Sequence, residues 1–217
     1  DWSSDVCSSD LVHLLANIGS VDDARRAADA GADGVGLLRT EFLLLERDAA
    51  PTEAEQAAAL GTIFAALGPD RPVTVRLADI GGDKRVPYLK IPPEENPFLG
   101  VRGYRLAMLP ARPDLRELFA SQIRAALVAA AASQGRLRVM APMVAVRAEV
   151  EHLMALVAEC RASLAARGAA AAAAHPLELG VMIEIPAAAL TVDTLAAGLD
   201  FVSIGTNDLT QYAMAAD

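Results

Sequence analysis

Leu179-Gly-Val-Met-Ile-Glu-Ile-Pro186 and Phe201-Val-Ser-Ile-Gly-Thr-Asn-Asp208 are two short apolar runs, each ending in a carboxylate, separated by about one loop–helix–loop. Runs of this kind, apolar without strict alternation, read as strands buried on both faces. The intervening length is that of a crossover helix, so the two strands lie parallel and adjacent. An ionised carboxylate at the end of a buried strand is costly unless something compensates it, and a divalent cation is the usual compensator. Glu184 and Asp208 therefore read as side-by-side ligands of one ion.

Working outward, strand and helix signals alternate along the chain. Strands are expected at Val12–Ile18, Gly34–Leu38, Val73–Ala78, Leu137–Val144, Leu179–Ile185 and Phe201–Ile204. Ser20 caps a helix that Gly31 stops, and Thr52 with Glu55 forms a capping box for a helix to Leu67. Asn96-Pro97 predicts a helix over Phe98–Leu109. Further helices are expected at Asp114–Ala132, Arg147–Arg167 and Thr191–Ala197, with a low-complexity alanine run at Gly168–Ala174. Six such units fit either an open doubly wound sheet or a (β/α)8 barrel. The barrel is favoured, because chemistry there gathers at the C-terminal strand ends, where Arg39, Arg76, Glu184 and Asp208 fall. With about six of eight units present, the barrel is incomplete. Open edges and an unclosed core predict that the chain by itself aggregates or stays partly unfolded.

Composition narrows the class. The 217 residues are 53% hydrophobic with a net charge of −9, which argues against a general nucleic-acid binder. Apolar stretches are broken by polar residues too often for a membrane span or a secretory signal, so a cytoplasmic protein is the expectation. The two cysteines, Cys7 and Cys160, have no metal-ligand spacing. Residues 1–11, Ser- and Asp-rich and holding the one Trp, read as a non-native leader before a single domain over 12–217.

Arg39, in Gly36-Leu-Leu-Arg-Thr-Glu41, and Arg76, in Val73-Thr-Val-Arg-Leu-Ala-Asp79, should be neighbours at successive strand ends. Two guanidinium forks suit a small, multiply charged anion such as a phosphate ester. Beside Glu184 and Asp208 they suggest Mg2+ bridging a phosphorylated or carboxylated ligand. Asp79-Ile-Gly-Gly-Asp-Lys84 adds a glycine turn with a lysine that could approach a phosphoryl group, Asn207 a neutral donor, and Arg102 or Arg105 a further cation. Bland readings stand beside these. Arg39 can equally pair with Glu41, Gly81-Gly82 is an ordinary turn, Glu184 can be salt-bridged to a helix, and Arg105 and Cys160 read as structural. His13, His152 and His175 have no partner spacing. The joint pattern of four polar groups at four strand ends is what favours a site.

Five motifs in order, Gly36-Leu-Leu-Arg-Thr-Glu-Phe-Leu43, Asp79-Ile-Gly-Gly-Asp-Lys84, Glu94-Glu-Asn-Pro-Phe-Leu-Gly-Val-Arg-Gly-Tyr-Arg105, Gly180-Val-Met-Ile-Glu-Ile-Pro186 and Ser203-Ile-Gly-Thr-Asn-Asp-Leu-Thr-Gln-Tyr212, resemble the phosphoenolpyruvate (PEP)-utilising enzymes. Their form is similar to the C-terminal domain of enzyme I of the bacterial sugar phosphotransferase system or of a fused multiphosphoryl transfer protein. The wider family includes pyruvate phosphate dikinase and PEP synthase. The resemblance implies a (β/α)8 TIM barrel of the PEP/pyruvate-binding type. It would bind PEP and Mg2+ and pass the phosphoryl group to a histidine of a separate domain and then to the carrier HPr. It implies Arg39 and Arg76 on phosphate and carboxylate oxygens, with Lys84 assisting catalysis and Arg102 as a secondary contact. It also implies Asn207 and Asp208 at the substrate, Glu184 and Asp208 on Mg2+, and a homodimer of the intact protein. The family's phosphorylatable histidine domain, an arginine just after Ala-Ala-Asp217 and a later acid cysteine are not in these residues, so the fragment alone is expected to be inactive. A pyruvate phosphate dikinase or PEP synthase barrel, a Mg2+-dependent aldolase or lyase barrel, and a catalytically dead regulatory or dimerisation module are the rival expectations.

Overall fold

Each apolar run forms a parallel strand, and the helices between them carry the chain back over the sheet. The computed structural model describes residues 12–45, 47–82, 84 and 86–216. The proposed leader, residues 1–11, lies outside the described residues. The strands are β1 (Leu15–Ile18), β2 (Gly34–Arg39), β3 (Pro72–Arg76), β4 (Arg136–Ala141), β5 (Leu177–Ile183) and β6 (Phe201–Ile204). They pair in the order β1-β2-β3-β4-β5-β6, all parallel. A doubly wound sheet reverses its strand order at a switch point, and this sheet does not. It is an incomplete α/β barrel, as expected from the strand-end chemistry.

The helices are α1 (Val21–Asp29), α2 (Glu53–Leu67), α3 (Pro113–Ser133), α4 (Arg147–Ala166), α5 (Ala170–Ala174), α6 (Pro186–Leu190), α7 (Val192–Leu195) and α8 (Thr206–Met214). Ser20 caps α1 by accepting from the Asp23 N–H, and Thr52 and Glu55 form a reciprocal capping box on α2. On α3, Leu115, Phe119, Ile123 and Leu127 recur every fourth residue and are fully buried in one core with Leu60, Ile63 and Phe64 of α2. In β3, Val73 and Val75 belong to that core, while Thr74 and Arg76 take the alternate positions.

The first strand starts at Leu15 rather than Val12, the third ends at Arg76 rather than Ala78 and the fifth is shifted to Leu177–Ile183. Three further elements differ, each for a local reason. The helix expected over Phe98–Leu109 is a 3₁₀ segment at Gly103–Met108 instead. Arg102 is extended there, Gly103 has φ of 60°, and the Gly103 N–H donates to the Ile80 carbonyl at 2.8 Å, so tethering to the loop after β3 overrides the Asn-Pro signal. The fourth strand stops at Ala141 rather than Val144, because Met143 turns at φ of 59° and gives its N–H to Glu184. The helix expected at Thr191–Ala197 is α6 and α7, broken at Thr191, whose hydroxyl donates to the Ala187 carbonyl. An unforeseen helix, α8, begins at Thr206, so Asp208 sits in a first helical turn rather than on a strand end.

Candidate functional site

The C-terminal ends of β2 and β3 are in direct register, with Arg39 opposite Arg76. Both line a cavity of about 270 Å3, together with Glu184 after β5 and Asn207 and Asp208 at the start of α8. A cavity of about 330 Å3 behind the Gly81-Gly82 turn is walled largely by glycine, proline and aliphatic residues and offers only Lys90 and Glu94 as charges. Of these two, the smaller cavity brings two arginines and two carboxylates together at the strand ends. Opposite charges face each other across it, two arginines on one side and two carboxylates on the other.

Arg76 is 5% exposed, and Arg39 is exposed. Arg76 does not pair with the strand-end acids across the cavity. Its Nη2 donates to Glu41 Oε1 at 2.6 Å, while Nη1 points to the Met182 sulfur at 3.9 Å. Nε of Arg76 has no hydrogen-bond partner among the described residues. The alternative pairing of Arg39 with Glu41 is absent. Glu41 turns back under β3, and Arg39 carries no hydrogen bond or ion pair among the described residues.

Glu184 is 1% exposed, and Oε1 accepts the Met143 N–H at 2.7 Å. Burial pushes its carboxyl up to about 7, the Met143 hydrogen bond and Arg76 opposing and the charges of Asp79 and Asp208 assisting. Glycine at 205 makes room for it, since a Cβ there would lie 2.7 Å from Glu184 Oε2. Asp208 is partly exposed, and its Oδ1 lies 3.5 Å from Arg102 Nη2.

Lys84 and Arg102 converge on a different group, Asp79. Arg102 approaches both oxygens of Asp79, Nε to Oδ1 at 3.3 Å and Nη2 to Oδ2 at 2.8 Å, and Lys84 Nζ reaches Oδ2 at 3.1 Å. Burial works to raise the Asp79 carboxyl, but the Arg102 hydrogen bonds and the surrounding cations outweigh it and hold it below the ordinary carboxylate range. Arg102 also donates to the Tyr212 hydroxyl, which in turn donates to the Phe98 carbonyl. This ties the β3 loop to α8. Arg105 pairs with Glu149 outside the cavity, and Cys160 donates to the Ala120 carbonyl within the core.

Two acids central to this arrangement, Glu41 and Asp79, had no role in the sequence-based site. Both stand in quoted motifs, and the signal for Asp79 was an acid at the end of the apolar run Val73–Ala78. Nothing in the sequence distinguishes a partner for Glu41 on β3 from one on its own strand. Among the described residues no group of three or more His, Cys, Asp or Glu converges to cage a metal. Glu184 and Asp208 still fit a cation of the Mg2+ type, which takes one or two carboxylates and leaves its other positions to water and substrate phosphate. The strongly disfavoured charge on buried Glu184 points the same way.

Comparison with known proteins adds the following. The family described as PEP-utilising enzyme, PEP-binding domain, matches residues 3–217. A phosphoenolpyruvate-protein phosphotransferase of Bacillus sp. (strain S) is 46% identical, the match covering 95% of this chain and 34% of that protein. The protein of the same name from Staphylococcus carnosus is 48% identical over the same shares. A multiphosphoryl transfer protein of Rhodobacter capsulatus is 46% identical over 95% of this chain and 23% of its own length. The chain thus spans about a third or less of these curated relatives.

Proposed function

Because this chain belongs to the PEP-utilising enzymes and corresponds to their PEP-binding domain, we propose that it supplies the PEP site of a PEP–protein phosphotransferase. The observation that carries the reading is the single cavity in which Arg39 and Arg76, in register on neighbouring strands, face Glu184 and Asp208. PEP carries a phosphate and a carboxylate, two fork-shaped anions, and two guanidinium groups match them in number and geometry. In this reading Arg39 and Arg76 grip those oxygens, Asn207 donates to the substrate, and Glu184 and Asp208 hold Mg2+. When bound, Mg2+ neutralises charge on the phosphoryl group as it departs.

The chain's own residues do the rest. Arg76, held in a nearly dry site, stabilises developing negative charge more strongly than an exposed cation can. Arg102 and Lys84 hold Asp79, and Arg102, through Asp208 and Tyr212, keeps the β3 loop against α8, so they shape the site more than they touch the ligand. The phosphoryl group then passes to a histidine of a separate domain and on to HPr. The intact protein works as a cytoplasmic homodimer. Among the described residues no helix is long and apolar enough to cross a membrane.

The test is PEP-dependent phosphorylation of HPr by the full-length protein. Transfer that requires Mg2+ and falls at least about a hundredfold in Glu184→Ala supports the reading. Full transfer by that variant, or none by the wild type, sinks it. The 217 residues alone are expected to transfer nothing.

A further inference from the structure

Glu41 lies two residues past the end of β2 and is almost wholly buried, its side chain 8% exposed. Its Oε1 takes two hydrogen bonds at once, from Arg76 Nη2 at 2.6 Å and from the Asp79 backbone N–H at 3.0 Å. Thr40, one residue before it, donates to the Arg76 carbonyl at 2.8 Å and accepts from Gln122 Nε2 at 3.0 Å. Gln122 Oε1 in turn accepts the Ala78 N–H at 3.1 Å. The β3 end is therefore clamped twice, the main chain by Thr40 and Gln122, the guanidinium by Glu41.

We infer that Glu41 is a positioning residue for Arg76, holding its guanidinium in the orientation that binds the PEP anion. The inference rests on the reading of Arg76 as a PEP ligand. One outer nitrogen is occupied by Glu41, so the fork is fixed with Nη1 against only a weak sulfur acceptor and Nε without a partner. Nη1, met only by that weak acceptor, is the donor most readily turned over to a ligand oxygen. Arg39, by contrast, is exposed and unpaired among the described residues, and must be ordered when ligand arrives. The two arginines divide the task. Arg76 is preorganised and loses little side-chain freedom on binding, while Arg39 closes on the ligand from solvent. Without Glu41, a buried cation would be free to turn toward Glu184 and quench one of the two cavity carboxylates.

The experiment compares full-length wild type with Glu41→Gln, Glu41→Asp, Arg76→Ala and the Glu41→Gln, Arg76→Ala double variant. PEP binding is read by calorimetry, and KM and kcat in the HPr assay. Glutamine keeps the size and one acceptor but not the charge. Glu41→Gln is expected to raise Kd and KM for PEP about tenfold, the scale of one hydrogen bond to a charged group, with kcat changed less. Glu41→Asp keeps the charge and should fall between Glu41→Gln and wild type. On the Arg76→Ala background Glu41→Gln should change PEP affinity no further, which a merely structural role would not produce. Unchanged affinity in Glu41→Gln, or an equal loss on both backgrounds, overturns the inference while leaving the PEP site standing. A wild-type protein that takes up no PEP overturns the site reading itself.

Discussion

Glu184 holds its proton up to about pH 7 because its carboxylate is buried against Gly205 and Met143 with a single backbone donor. An ordinary glutamate in the unfolded chain titrates near 4.5. The folded state thus binds the proton more tightly, and stability is lost as pH rises from about 4.5 through about 7. The loss in metal-free protein is on the order of 3 kcal/mol. Calorimetric melting of the full-length protein in chelator should show this decline, and Glu184→Gln, which cannot ionise, should flatten it. Added Mg2+ should raise the melting temperature more at pH 8 than at pH 5.5, since it needs the ionised carboxylate. Equal stabilisation at both pH values would argue against Glu184 as a ligand. At this scale the convergence of Arg39, Arg76 and Glu184 on one cavity was legible because parallel strands deliver their C-terminal ends to one place, while Asp208 joins them from the first turn of α8. The hydrogen-bonding of Glu41 was not, since chain proximity favours Arg39 as its partner while the turn at Thr40–Leu43 carries its carboxylate under the neighbouring strand.

Between residue and molecule, the segment from Gly81 to Met108 sets the geometry of the site and was the least legible. Asn96-Pro97 is a sound helix-start signal, yet the chain makes only one turn, closed by the Leu99 N–H to the Asn96 carbonyl, before Glu94 accepts the Val101 N–H and Arg102 locks onto Asp79. Such long-range contacts leave no periodicity in the sequence. Gly103 has φ of 60°, and a Cβ there would lie 2.8 Å from Met143 Cγ, so Gly103→Ala strains its own backbone and displaces the residue that caps Glu184. It should lower the denaturation midpoint by an amount equivalent to about 1–3 kcal/mol and weaken PEP binding in the same protein. A variant that unfolds earlier but binds PEP as before would show that this turn does not shape the site. The capping box on α2, read correctly from Thr52 and Glu55, is remote from the cavity. Thr52→Ala should cost about 1 kcal/mol of stability and leave PEP affinity alone.

Across the whole molecule, alternating strand and helix signals were enough for six βα units but not for their arrangement. A barrel and a doubly wound sheet share that alternation, and only the sequential strand order separates them. Among the described residues β6 pairs on one side only, with Val202 and Ile204 exposed at 41% and 67%. An apolar edge of this kind recruits other strands. The 217 residues by themselves should therefore self-associate in sedimentation velocity, and Val202→Lys should reduce the associated fraction. A monodisperse monomer would remove the edge as a liability.

In the proposed site one cavity at the strand ends binds PEP through Arg39 and Arg76 and a divalent cation through Glu184 and Asp208. Titration calorimetry of PEP into the full-length protein, with Mg2+ and then with chelator, tests it most directly. Binding that needs Mg2+ and is weakened by about a hundredfold, yet still measurable, in both Arg76→Ala and Glu184→Ala is the predicted result. PEP binding of equal affinity in chelator, or undiminished in either variant, would contradict it.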